Sequence, residues 1–251
     1  MRRAVARLKT EHEHLIYDGA SSDGTAGLLR ELEAKTPGLV VVSEPDTGLY
    51  HALNKGVRDA KGEWMLVLGC DDFIADPACL DCLVSGLAGD VDALATTVRM
   101  EFPDGRLFRI WKPKRRGIFN APLAGHQGEL IRTELARRLG GFDVRYRIAA
   151  DSDMFLKAHW QNFRFRYDTR TFSVFTTGGV SSDDEASRAD HCQSVSRVLG
   201  LGESESKMLS ERGLLPFSRC LKLLTHANAV IRWSALAMIA KSFIRSVKHL
   251  F

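Results

Sequence analysis

The chain has 251 residues, 45% of them hydrophobic and 26% charged, with a net charge of +4. That is enough for one α/β domain with a sizeable core, or a domain plus a small appendage, and it excludes a disordered or fibrous chain. Five cysteines without framework spacing fit free thiols in a reducing compartment, and no run of about eighteen uncharged apolar residues is present to span a bilayer.

The first eleven residues read as the end of a basic helix, and Arg7, Lys9 and Glu11 interrupt any apolar run that a signal peptide would need. His14-Leu15-Ile16-Tyr17 reads as a strand ending at Asp18. Gly19 to Asp23 is a small polar loop, and Asp23 or Thr25 is placed to cap a helix whose apolar face is Leu28, Leu29 and Leu32. A further strand at Leu39 to Val42 completes a βαβ unit and puts Asp18 at the carboxyl edge of a sheet. Pro45-Asp46-Thr47-Gly48 is a turn that opens a helix from Tyr50 to Ala60, whose free N-terminal N–H groups suit an anion. Trp64 to Leu68 is short, continuous and apolar, as expected of a strand buried on both faces, and it stops at Gly69-Cys70-Asp71-Asp72.

Two adjacent carboxylates at a strand's carboxyl end have two readings. They hold a hard cation such as Mg²⁺ or Mn²⁺ against a phosphate, or they form a polar turn that caps the next helix. That helix opens at Pro77 and runs to Leu87, with Cys79 and Cys82 in a C-x-x-C spacing that lacks the two further ligands of a zinc site. Strands at Ala93 to Met100 and Leu107 to Trp111 flank a Pro103-Asp104-Gly105 turn. The basic run Lys112 to Arg116 has no interleaved aromatics, which argues against nucleic acid; it fits a solvated loop, an anionic acceptor or a membrane surface.

Gly125-His126-Gln127-Gly128 precedes a strand from Glu129 to Arg132, and Thr133 to Leu139 is a helix closed by Gly140 and Gly141. A helix from Asp151 to Trp160 carries Asp151 and Asp153 in its first turn, where acids suit the helix dipole whatever their function. Arg164 to Thr176 gives one or two strands, Gly178 to Ser181 a turn, and Asp183-Asp184-Glu185 the start of another helix. From Pro216 on the chain is mainly helical, and from Arg212 to Phe251 it has seven Lys and Arg and no Asp or Glu. Leu236, Ile239, Phe243, Val247 and Leu250 form an apolar stripe beside Lys241, Arg245 and Lys248. Such a helix lies on a membrane surface, packs on its own domain or pairs with a second copy. The chain thus divides into 1–200 and a basic helical segment, 201–251.

Four segments, in order, resemble glycosyltransferase family 2, the inverting enzymes of GT-A fold, and within it the subgroup of cell-surface polysaccharide (colanic-acid type) enzymes. They are Tyr17 to Thr25, Ser43 to Asp72, Gly125-His126-Gln127, and Gly141-Phe142-Asp143 followed by Ala149 to Asp153. The resemblance spans roughly residues 14 to 180. It implies a three-layer α/β/α domain with a mostly parallel sheet, followed by a helical C-terminal segment. It also implies transfer of a sugar, with inversion, from a nucleoside-diphosphate sugar to a hydroxyl of a glycan or lipid-linked acceptor in surface polysaccharide synthesis. By the same resemblance Asp18, Ser21, Asp46, Asn54 and Asp71 bind the donor, and Asp72 binds Mg²⁺ or Mn²⁺. His126 and Gln127 contact the diphosphate or acceptor, and Asp151 is the catalytic base with Asp153 in reserve. The implied location is the cytoplasm, with the C-terminal helix at the inner face of the membrane or in a homodimer.

The chain departs from the family pattern at three places. His51 stands where the family has Asp, and Ala150 where its acidic catalytic pair begins with Glu. The family's opening strand and polar loop have no counterpart, Met1 falling within the helix that follows them, so that about two dozen residues, one βα unit, are wanting by that comparison. These departures raise an alternative, a non-catalytic nucleotide-sugar-binding or scaffold protein derived from the family. A sugar nucleotidyltransferase on a related fold would need a Gly-rich phosphate loop, which these residues lack.

Overall fold

The computed structural model describes residues 7–248 apart from 88, 116, 121–124 and 180–182, with side chains as far as residue 244 in the last helix. Residues 7–11 do not form the expected basic helix. Instead the backbone N–H groups of Lys9 and Thr10 each donate to the Asp81 carboxylate at 2.9 Å.

The chain then forms β1 (His14–Asp18), α1 (Thr25–Glu33) and β2 (Leu39–Ser43), with β1 and β2 parallel. α1 begins where the Asp23 carboxylate accepts the Thr25 N–H at 3.0 Å. Its apolar residues remain only partly covered, and no side chain of α1 is fully buried. α2 (Leu49–Asp59) leads to β3 (Trp64–Leu66), two residues shorter than the apolar run, because Val67 and Leu68 leave the ladder.

β3 is the edge of a second sheet ordered β3-β7-β5-β8-β4. Its other members are β4 (Phe73–Ile74), β5 (Ala93–Glu101), β7 (Glu129–Arg132) and β8 (Phe165–Thr176), and β6 (Leu107–Trp111) hangs on β5. Here only β5 and β8 are parallel, while β3–β7, β7–β5, β5–β6 and β8–β4 are antiparallel. The sheet is therefore mixed rather than mostly parallel. Arg164 to Thr176, open to one strand or two, forms the single strand β8.

Successive strand residues point to opposite faces, and the core divides accordingly. On one face Ala93 and Ile131 pack against α2, α4 (Thr133–Arg138) and α5 (Ala150–Trp160) through Val57, Ala136 and Met154. On the other, their neighbours Leu94 and Leu130 pack against α3 (Pro77–Ser85) through Leu80 and Leu83. Leu83 is fully buried, a contribution of about 1.5–3 kcal/mol. Two caps fix the direction of these helices. Asp76 accepts the Cys79 N–H to start α3, and Gly140 and Gly141, both at positive φ, turn the chain after α4.

Four helices complete the chain: α6 (Asp184–Leu199), α7 (Glu203–Arg212), α8 (Phe217–Leu223) and α9 (Ala229–Lys248). Their apolar sides form one cluster with Leu156 of α5 and with Ile118 and Phe119. Val195 and Leu199 of α6 share this cluster with Leu209, Ile231 and Met238. Residues on both sides of residue 200 thus share one cluster. Ser234, fully buried in α9, accepts the N–H groups of Gly117 and Ile118 and ties the helices to the loop that carries them. α9 carries a second apolar face, on which Trp233, Leu236, Phe243 and Ile244 are exposed. Arg245, Val247, Lys248 and Leu250 of the expected stripe lie outside the described side chains. All five cysteines are free thiols.

Candidate active site

The structure gathers the sequence-expected residues into two groups. The first lies where β1 and β2 end. Asp18 is 9% exposed, and its carboxylate accepts the Ser21 N–H at 3.1 Å and the Ser21 and Ser43 hydroxyls. These bonds, the Ser21 hydroxyl first and Ser43 next, hold the Asp18 carboxyl below the usual carboxylate range despite partial desolvation. Asp46 belongs to the same corner. Its Oδ1 accepts the Gly48 N–H at 2.9 Å, and its Oδ2 lies 3.0 Å from where a side chain on Gly19 would begin. Gly19 thus permits the two loops to meet.

The second group lies beyond β3, β7 and β8 and contains both halves of the expected chemistry. Asp72 is 3% exposed. Its Oδ2 accepts the Gly69 N–H and the Gln127 side-chain amide, both at 2.9 Å, and its Oδ1 accepts the Thr176 N–H at 3.2 Å. Three of the roughly four lone-pair directions of this carboxylate are therefore taken. Asp71, by contrast, is exposed, and it is its backbone carbonyl that is held, by the Thr176 hydroxyl at 2.8 Å. Asp71 Oδ1 and Asp72 Oδ2 lie 3.1 Å and 3.0 Å from the position a Cβ on Gly69 would occupy. A side chain there would fill the space between the two carboxylates.

The exposed Asp71 carboxylate and Asp72 Oδ1, which keeps a free lone-pair direction while Oδ2 already accepts two hydrogen bonds, are hard oxygens of the kind that suits Mg²⁺ or Mn²⁺, which typically takes one or two carboxylates and completes its shell with substrate phosphates and water. No group of three or more His, Cys, Asp or Glu is arranged as a metal cage among the described residues. Asp72, the residue expected to hold such a cation, is joined at this corner by Asp71.

His126 and Gln127 open a short 3₁₀ turn, His126–Gly128, directly before β7. Gly128 packs so closely on Thr96 and Val98 of β5 that a Cβ would come within 2.6 Å, and this pins the turn to the sheet. Gln127 reaches Asp72, whereas His126 turns to Asp151, its Nδ1 lying 2.9 Å from Oδ2. Burial pulls the His126 pKa down, but the Asp151 hydrogen bond and the charges of Asp151 and Asp72 outweigh it and raise it overall. Glu129, three residues on, is buried without such partners among the described residues, and desolvation, then the charge of Asp151, push its carboxyl well above the usual range.

Asp151 sits in the first turn of α5 with a quarter of its side chain exposed, and its Oδ1 accepts the Ser152 N–H at 2.7 Å. The turn is clamped from both sides. The Tyr50 hydroxyl donates to the Ile148 carbonyl and accepts the Ala150 N–H. From α6, Asp190 accepts the Ile148 N–H at 2.7 Å and His191 meets the Ser152 hydroxyl at 2.9 Å. Thr176, Tyr50, Asp190 and His191 have no motif to mark them in the sequence.

Two expected site residues are directed elsewhere. Asp153 is 1% exposed, ion-paired with Lys157 at 2.6 Å and hydrogen-bonded by Ser194 at 2.7 Å, so its carboxylate is engaged within α5 and with α6. Asn54 spends both ends of its amide on the backbone N–H and carbonyl of Phe142, each at 2.8 Å, joining α2 to the turn after α4. Ser21 likewise serves Asp18. His51 is exposed on α2, and Val180 and Ser181 lie outside the described residues.

The chain is 28% identical over 163 residues to an uncharacterized glycosyltransferase of Mycobacterium tuberculosis, covering 61% of this chain and 59% of the relative. It is 29% identical over 158 residues to the hyaluronan synthase of Pasteurella multocida, covering 61% of this chain and 16% of that one. The chain thus spans about three fifths of the first relative's length and a small part of the second. Among solved structures, S. aureus TarS 1-349 in complex with UDP-GlcNAc superposes with a TM-score of 0.62 at 17% identity, over 84% of this chain and 65% of that one. The mannosyltransferase PcManGT from Pyrobaculum calidifontis, in complex with GDP-Man and Mn²⁺, gives 0.61 at 19% identity, over 99% and 74%. At these identities the likeness is one of fold, GT-A-like α/β. The family model of glycosyl transferase family 2 matches residues 1–161, well over half of the chain, and the chain belongs to that family.

Proposed function

We propose that this protein transfers a sugar, with inversion, from a nucleoside-diphosphate sugar to a hydroxyl of a glycan or lipid-linked acceptor, in the assembly of a surface polysaccharide. The observation that carries the reading is the convergence of the Asp71–Asp72 cradle and the His126–Asp151 pair through the adjacent residues His126 and Gln127. One side of that site suits a diphosphate and the other an acceptor proton. The named partners of the fold neighbours, UDP-GlcNAc and GDP-Man with Mn²⁺, support a donor of this class.

Asp18 and Asp46, at the ends of β1 and β2, hold the loops against which the nucleoside rests. Asp71 and Asp72 would hold Mg²⁺ or Mn²⁺, which when bound neutralises charge on the diphosphate as it leaves. Gln127 and the Thr176 backbone fix Asp72 in place for that purpose. His126, whose pKa is raised by Asp151 and Asp72 against its burial, adds a positive charge beside the leaving group when protonated. Asp151 takes the proton of the acceptor hydroxyl as its oxygen attacks the anomeric carbon, a positioned base worth about 10²- to 10⁴-fold.

No helix among the described residues is long and apolar enough to cross a membrane. The exposed face of α9, with Trp233 and Phe243 flanked by Arg232 and Lys241, suits the anionic inner surface of a cell membrane, where a lipid-linked acceptor would be met. A second copy of the chain is the competing occupant of that face.

The test is calorimetry with a panel of nucleoside-diphosphate sugars, with and without Mn²⁺, followed by turnover of the sugar that binds. Asp151→Asn is expected to keep donor affinity and lose most turnover. Asp71→Ala with Asp72→Ala is expected to lose the Mn²⁺-dependent part of donor binding. Donor binding by the parent protein without turnover on any acceptor would favour the non-catalytic descendant instead, and equal affinity with and without Mn²⁺ would remove the metal from the reading.

A further inference from the structure

The hairpin of β5 and β6 stands at the rim of the candidate site. At its root on β5, Glu101 lies beside Thr176 of β8, whose N–H is donated to Asp72. At its root on β6, Trp111 packs against the turn that carries His126, since a Cβ on Gly125 would come within 3.3 Å of the Trp111 ring. Beyond these roots the hairpin projects. Every residue from Phe102 to Ile110 is exposed, and β6 has β5 as its one partner strand among the described residues.

A projecting ribbon is ordinarily polar, and this one is not. Phe102 is 38% exposed, Leu107 58%, Phe108 51% and Ile110 41%. Alternation along β6 sends Leu107 to one face and Phe108 and Ile110 to the other, so apolar groups stand on both. A folded partner laid against the ribbon covers one face, whereas a fluid apolar medium reaches both. The charges narrow the medium further. From Arg99 to Arg115 there are six Lys and Arg and two acids. Both acids are already matched, Glu101 by Arg99 and Asp104 by Arg106. Arg109 lies over the rings of Phe108 and Trp111 rather than on a carboxylate. Lys112 and Lys114 are exposed, without an acidic partner among the described residues. Apolar side chains interleaved with unmatched cations suit an anionic lipid surface. The free edge of β6 sets the depth. Its backbone N–H and C=O groups need water, so the ribbon rests among the headgroups and only its side chains reach the acyl boundary.

We propose that the β5–β6 hairpin docks on an anionic phospholipid bilayer at headgroup depth, holding the mouth of the candidate site, at the hairpin's roots, beside that surface. This contact is separate from the exposed face of α9, to which the chain is tied after the basic run by the bond from the Gly117 N–H to Ser234. The contact itself stands on exposure and charge. That the same bilayer carries the acceptor rests on the sugar-transfer reading.

Sedimentation with lipid vesicles, in the absence of donor, tests it. The 251-residue protein is mixed with vesicles of phosphatidylcholine alone or of phosphatidylcholine with phosphatidylglycerol. It is expected to sediment with the mixed vesicles and not with the neutral ones, and to be released as salt is raised. Two variants remove the two parts of the surface separately: Leu107→Ser with Phe108→Ser, and Arg109→Gln with Lys112→Gln and Lys114→Gln. Each is expected to weaken binding to the mixed vesicles by roughly tenfold or more, with donor affinity unchanged. Where the serine variant melts below the parent, the glutamine variant decides. Binding by both variants as strong as the parent's overturns the proposal. Binding kept by both but lost with Trp233→Ser and Phe243→Ser places the lipid on α9 and overturns it too. No vesicle binding by the parent, together with dimeric elution that the serine variant abolishes, puts a second copy on the hairpin and overturns it as well. Because donor is absent, each of these failures leaves the sugar-transfer reading intact. Vesicle binding as expected, with no turnover of any donor, would remove that reading and keep the hairpin contact.

Discussion

The imidazole of His126 and the carboxylate of Asp151 meet at 2.9 Å, joining the turn before β7 to the first turn of α5. The same turn sends Gln127 to Asp72. A change in the charge of Asp151 is therefore felt one residue away from the group that positions the carboxylate cradle. Asp151 and the Asp71–Asp72 pair thus form one electrostatic unit, with His126 shared between them.

His126→Gln should make the protein less stable in acid and matter little in alkali. The His126 pKa is raised in the folded state, after burial is outweighed by Asp151 and then Asp72. Its stabilising contribution is therefore complete below the unfolded value of about 6.5 and lost as pH rises through the folded value. Melting curves of both proteins from about pH 5.5 to about pH 8.5 check this. A Tm difference that grows with pH would contradict the ion pair.

Glu129→Gln should have the opposite sign. The Glu129 carboxyl is pushed up by burial and by the charge of Asp151, so the folded state holds a proton that the unfolded chain releases above about pH 4.5. Stability then falls as pH rises through that window. The neutral amide removes this dependence, so the variant should melt higher than the parent at neutral pH and equal it below about pH 4. An unchanged Tm at neutral pH would mean that Glu129 gains a partner in solution.

Much of this was legible in the sequence and some was not, for physical reasons. Apolar runs bounded by Gly and Asp located β1, β2, β5 and β7, since short strands covered on one or both faces need such runs, while β6, exposed on both faces, was legible from the Pro103-Asp104-Gly105 turn before it. The family and its fold were legible from four ordered segments. Asp151 and Asp153 could not be told apart, because both satisfy the preference for acids in a first turn. Two residues on a helix are about 200° apart, which sends one to the site and the other into α6. The clamp of Tyr50, Asp190 and His191 was invisible because it joins elements far apart in sequence by polar contacts that leave no periodicity. The extent of β3 was misread for a related reason: its apolar run describes burial, whereas a ladder needs a neighbour.

Asp153→Ala distinguishes the two acids. It removes the buried partner of Lys157, whose other acid is Asp143 at 3.9 Å, and leaves the Ser194 hydroxyl without its acceptor. The cost should be about 1–3 kcal/mol in urea unfolding, with donor affinity unchanged and turnover of the remaining folded protein close to the parent's. Turnover falling as far as in Asp151→Asn would restore Asp153 to the chemistry.

Tyr50→Phe tests the clamp that aims Asp151. The hydroxyl is buried, its pKa raised by desolvation first and the charge of Asp151 next, and it serves the Ala150 N–H at 3.2 Å and the Ile148 carbonyl together. Phenylalanine keeps the stacking on Phe142, whose ring centroid is 5.7 Å away, but leaves both backbone groups unpaired. That should cost about 1–3 kcal/mol of unfolding free energy at unchanged m. The first turn of α5 would then be held only from the α6 side, by Asp190 and His191. Asp151 moves with that turn, so on the proposed function kcat should fall while the KM for donor stays the same, because the proposed donor corners, Asp18 and Asp71–Asp72, are untouched. Loss of stability with kcat intact would make Tyr50 a packing residue and free the base from its neighbour on α2.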